Sequence, residues 1–238
     1  MAIKILFKPL IVFSLIFMAF TVIGTISHEL GHIVIAKYLG YKTSLHYGSM
    51  SHFGSPLDDK LNEIYEKVED KVAFEADGDY PEKEEFKKYL HKRDYQFFLI
   101  AIGGPLQTCL TGIIGLLVLF FRKAHLKKHL SKMDWLAVFL ALFWLREVFN
   151  MGHGVVAALL YGPDQLFGGD ELNMALFKGW APGAFAIPLA IIGLLVGLYV
   201  SFRVVPKSLR LTFILAGFTG SAIGFVGWFF GLGPLLLP

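Results

Sequence analysis

Residues 5–39, ILFKPLIVFSLIFMAFTVIGTISHELGHIVIAKYL, decide the fold. From Ile5 to Ile26 the run is almost wholly apolar, and a helical pattern continues through His28-Glu29-Leu30-Gly31-His32 to Leu39. Crossing a hydrocarbon core about 30 Å thick takes roughly 20 apolar residues, so this stretch spans a bilayer with length to spare. Lys4 and Lys8, before the apolar run that follows Pro9, resemble the start of a signal peptide. No small-residue cleavage site precedes Thr25, so the helix is expected to be retained.

The rest of the chain is built the same way. With 55% hydrophobic and 15% aromatic residues and a mean hydropathy of +0.58, its 238 residues are too apolar for a soluble domain of that size. Four further apolar runs predict spans over 95–121, 135–161, 180–204 and 211–236, giving an all-α polytopic membrane protein with five transmembrane helices. All 238 residues then form a single membrane-embedded domain. The net charge of +3 is small and the cations sit in loops, which gives no reason to expect a nucleic-acid partner. A lone cysteine, Cys109, excludes an internal disulfide.

Between the first two spans the composition changes abruptly. Residues 41–94 hold 13 Asp or Glu against 9 Lys or Arg and read as an acidic insertion outside the membrane. Within it Leu45 to Phe53, LHYGSMSHF, alternates loosely and predicts a short hairpin. Leu57, Leu61, Ile64, Val68 and Val72 recur at helical spacing and predict an amphipathic helix; a second short helix is expected from Pro81. The basic loops at 122–133 and 203–210 lie on the side of Lys4 and Lys8, which the positive-inside bias places in the cytoplasm.

The chemistry concentrates in HELGH. His28 and His32 are four residues apart, so on a helix both imidazoles leave one face and can reach one ion at about 2.0–2.1 Å. Zinc, one ion per chain, is the metal this donor set suits. Glu29 would be the general base, taking a proton from water whose pKa zinc can lower to about 7. Histidines and a carboxylate inside a membrane helix are costly and usually pair, bind ions or line a polar cavity. A catalytic zinc wants a third protein ligand, for which Glu147, His153, Asp164, Asp170 and Glu171 are the candidates.

Three places carry a family resemblance: HELGH late in an N-terminal span with Ala36, Lys37 and Gly40 after it; IAIGGPLQTCLTG at residues 100–112; and GGDELNMALFKGWAP at residues 168–182. Together they resemble the site-2-protease-like intramembrane zinc metalloproteases, in particular their small bacterial branch. The resemblance implies Asp170 as third ligand beside His28 and His32, Glu29 as base, and a membrane protein or peptide as substrate in a bacterial cytoplasmic membrane. The LDG-like motif of better-studied branches is absent, which keeps Asp164 as a rival.

Gly103, Gly104 and Pro105 weaken the second span near its start, and fit either close packing or a place beside substrate. In the third span Asn150 or Arg146 could hold substrate or stabilise the oxyanion, while Arg146 and Glu147 also read as an internal ion pair that fixes packing. Two rivals to the endopeptidase reading remain: a membrane transporter or sensor that binds metal through the same residues, and an inactive relative that binds other membrane proteins.

Overall fold

The computed structural model describes residues 5–68 and 80–238. Helix α1 covers Phe7–Tyr38. It ends in a Schellman turn: Gly40 takes φ +91°, its amide donates to the Lys37 carbonyl, and the Tyr41 amide donates to that of Ala36. Tyr41 then folds back onto Ala36 and Ile100. Strands β1 (Lys42–Leu45) and β2 (Met50–Phe53) follow as the expected hairpin, antiparallel with Lys42 opposite Phe53. Its tip is pinned from the far end of the chain, where the Trp228 indole donates to the Tyr47 carbonyl at 2.6 Å and the Tyr47 amide to the Leu237 carbonyl at 2.9 Å.

The amphipathic helix is α2, Pro56–Lys67, with Pro56 in its first turn and a reciprocal cap between Ser55 and Asp58. Leu61 and Ile64 are its buried face. The expected register toward Val72 runs beyond Val68 into residues outside those described. Helix α3 spans Lys83–Phe121 without interruption. The short helix expected from Pro81 is therefore the first three turns of the second span, not a separate element. Residues 83–94 are mostly good helix formers, so the switch to apolar sequence at Tyr95 marks the membrane boundary, whereas the helix begins twelve residues earlier.

The third span is broken by a tight 3-10 turn at Leu142–Trp144 into α4 (Lys132–Ala141) and α5 (Leu145–Tyr161). A short helix, α6 (Gly169–Phe177), lies in the return loop. The fourth span, α7 (Ala186–Tyr199), starts six residues later than the apolar run, and continues through a π turn at Val200–Val204. The last is α8 (Arg210–Gly227), prolonged by a π turn at Trp228–Leu232 and α9 (Gly233–Leu236). Among the described residues five helical stretches are long and apolar enough to cross a membrane. The fold is thus almost wholly helical, with one two-stranded sheet, and its five candidate spans match a multi-pass membrane protein.

Helix α1 packs along α3 and α8; α5 packs chiefly on α7, leaving no extended interface between α5 and α1. The N-terminal half of α1 is held by an aromatic core of Phe13, Phe17, Trp135, Phe139 and Phe213, with ring centroids 4.8–5.9 Å apart. Its C-terminal half crosses α3 so closely that a Cβ on Gly31 would lie 2.3 Å from the Gly103 carbonyl oxygen. Only paired glycines permit that approach, and it sets the depth at which the motif meets α3.

Candidate metal centre

The helical spacing of His28 and His32 brings both rings to one face of α1, their centroids 4.9 Å apart and nearly perpendicular. Both are buried, as is Glu29 between them. Each ring is fixed by a bond on its Nδ1: His28 to Thr108 Oγ1 at 2.9 Å, His32 to the Ile100 carbonyl at 2.6 Å. The Gly104 amide also approaches His32 Nδ1 at 3.2 Å. The shorter contact decides the tautomer, because a carbonyl can only accept and so requires the proton on Nδ1. Both Nε2 atoms are left pointing the same way.

They point at Asp170. One carboxylate oxygen, Oδ2, lies 3.0 Å from His28 Nε2 and 3.2 Å from His32 Nε2. The first turn of α6 carries it there, after Gly169 turns the chain at φ +66°. Helix α6 is moored on α3 by the stacked rings of Phe98 and Phe177, 4.6 Å apart, with Lys178 over Phe98.

A metal fits this arrangement on two counts. Donors at about 2.0–2.1 Å around a tetrahedral ion lie roughly 3.3 Å from one another, close to both separations seen here. Electron-rich atoms converging this tightly also need a proton or a metal cation among them. The position beside them is kept clear by the backbone: a Cβ on Gly104 would lie 2.3 Å from His32 Nε2 and 2.4 Å from His28 Nε2. His28, Glu29 and His32 present donor atoms within 4.8 Å of one another. The Glu29 carboxylate engages in no hydrogen bond or ion pair among the described residues, so it is free to exchange a proton.

The rival third ligands fall elsewhere. Asp164 is exposed in the 3-10 turn Pro163–Gln165, and His153 is exposed on α5 beside Phe149. Glu147 and Glu171 are both buried, and Oε1 of each has no hydrogen-bond partner. The expected Arg146–Glu147 ion pair is not formed. Consecutive residues of a helix point about 100° apart and do not face one another.

Small residues four apart on α3 have a split use: Gly104 and Thr108 face the histidines, and Gly112 faces the Trp144 ring. Pro105 is buried inside α3 next to Gly104. Asn150 is half-buried one turn beyond Arg146 and makes no hydrogen bond among the described residues. Little in the sequence marks Thr108 as the support of His28. Its one signal is a hydroxyl in an apolar helix, four residues from Gly104 and on the same face.

Compared with known proteins, the chain matches no family model, no curated protein and no solved structure.

Proposed function

We propose that this chain is a zinc-dependent intramembrane endopeptidase, similar to the site-2-protease-like family, that hydrolyses peptide bonds in or near the transmembrane segments of membrane proteins in a bacterial cytoplasmic membrane. One observation carries the reading: His28, His32 and Asp170 converge over a glycine, with the unpaired carboxylate of Glu29 beside them. His28, His32 and Asp170 would hold the ion, which when bound supplies Lewis acidity to the reacting carbonyl and to water.

The chain's own groups do the rest. The Ile100 carbonyl holds His32 in the tautomer that leaves Nε2 free, and Thr108 orients the His28 ring through Nδ1. Glu29 takes the proton from attacking water and returns it to the leaving amine. A peptide bond in a helix is shielded, so a substrate must reach the site extended. The β1–β2 hairpin, which follows directly on α1, offers strand edges to which such a segment can add.

The test combines metal content with cleavage. Detergent-purified wild type is expected to carry close to one zinc per chain and to cut a reconstituted helical substrate. Glu29→Gln is expected to keep the zinc and lose cleavage by about 10²–10⁴-fold. A wild type free of metal, or a Glu29→Gln variant that still cuts, overturns the reading. Ion flux into liposomes that depends on His28, without cleavage, would favour a transporter.

A further inference from the structure

Away from the metal centre, the joint between α3 and α4 carries apolar and cationic groups for which the hydrolysis has no use. Phe120 and Phe121 end α3, a 3-10 turn follows at Ala124–Leu126, and Ser131 caps α4. The joint is fixed from two sides. Ala124 is buried in the core that holds Val200, Val204 and Val205. Asp134, also buried, accepts from Arg122 Nε at 2.6 Å and from Lys127 Nζ at 2.9 Å. The rest of the joint faces outward, where Phe120, Phe121, Lys123, His125 and Leu126 line an open groove of about 290 Å³.

The groove has two kinds of wall. Phe120, Phe121 and Leu126 are exposed and lie at or just past the end of a candidate span, where hydrocarbon meets headgroups. Lys123 and His125 supply the polar rim. Residues 122–133 hold five Lys or Arg and no Asp or Glu, and the adjacent Asp134 is already shared by Arg122 and Lys127. Lys123 therefore has no carboxylate partner among the described residues. Its backbone is also unusual: φ is +49°, the one positive value at a described residue other than glycine. The position directly follows the C-cap of α3, where backbone stability alone favours glycine. A lysine there brings a cation to the rim that glycine would not.

We infer that this groove binds one anionic phospholipid of the surrounding membrane, its phosphate at Lys123 and His125 and an acyl chain along Phe120, Phe121 and Leu126. The two walls together select that chemistry. A soluble anion would meet the cation but leave the rings against water. A zwitterionic lipid would cover the rings but bring a second cation to the lysine. A lipid of net negative charge satisfies both, and each lysine at a membrane surface strengthens such binding about fivefold. The assignment is independent of the metal centre, which lies elsewhere on α1, α3 and α6.

The experiment titrates the detergent-purified, delipidated full chain with phosphatidylglycerol, phosphatidylcholine of the same chain length, or glycerol phosphate, and counts bound molecules by native mass spectrometry. The expected result is one phosphatidylglycerol per chain, held at least about fivefold more tightly than phosphatidylcholine, with glycerol phosphate unbound at the same concentrations. Lys123→Gly keeps the turn and removes the cation, so phosphatidylglycerol affinity should fall about fivefold while the thermal unfolding temperature is no lower than that of wild type. Lys128→Gln makes the same charge change in the same loop outside the groove, and should leave affinity within about twofold. Equal affinity for the two lipids, binding of glycerol phosphate as tight as that of the lipid, or equal losses in Lys123→Gly and Lys128→Gln overturns the assignment.

Discussion

The two halves of α1 are held in opposite ways. Toward its N-terminus the helix meets its neighbours through large rings, with Phe13 and Phe17 packed among Trp135, Phe139 and Phe213. Toward its C-terminus it meets α3 through the absence of side chains, Gly31 against Gly103 and Gly104 against the imidazole tips. Ring packing tolerates adjustment because no single atom is decisive and lipid is almost as good a solvent for a phenyl group as another phenyl group. The glycine contact tolerates none. The difference teaches that one half fixes where the helix lies, and the other fixes how closely the two imidazoles approach α3.

Three substitutions would break or sharpen that contrast. The largest effect is expected from Gly104→Ala, which removes no ligand but places a methyl group against both Nε2 atoms. Zinc per chain should fall from about one to near zero by elemental analysis. Full retention of zinc would mean that the metal does not sit over this glycine.

Thr108→Val comes next. It keeps shape and removes the oxygen that orients His28. Zinc affinity, read by competition with a chelator, should weaken by roughly 10–100-fold, and Thr108→Ser should restore most of it.

Phe213→Ala should have the smallest effect on the centre. Loss of its ring contacts should lower stability to thermal unfolding in detergent by about 2 kcal/mol, less than the 3–5 kcal/mol typical of water-soluble cores. Zinc affinity should stay within about threefold. A parallel collapse of zinc binding would show the two halves to be one cooperative unit.

Much of this arrangement is legible in the sequence because membranes impose simple rules. Apolar length alone gives the five candidate spans, and the i, i+4 spacing alone puts His28 and His32 on one face. Boundaries were less legible. The start of α3 at Lys83 was hidden because polarity reports water, and a helix can run through the interface unbroken. The short α6 was equally hard to read from a nine-residue stretch.

By itself, then, the sequence determined a polytopic helical chain with two histidines spaced to share one metal ion and a carboxylate between them. Only the tertiary structure decided which acid joins them. Asp164 and Asp170 have the same chemistry and sit six residues apart in one loop, so no local rule separates them; Gly169 turns the chain and the stack of Phe177 on Phe98 brings Asp170 to the histidines. The tertiary structure also decided that Glu147 is buried and forms no ion pair with Arg146. Partners among buried charges are set by helix rotation and crossing, quantities that depend on every contact along α1, α3 and α5 rather than on any one motif.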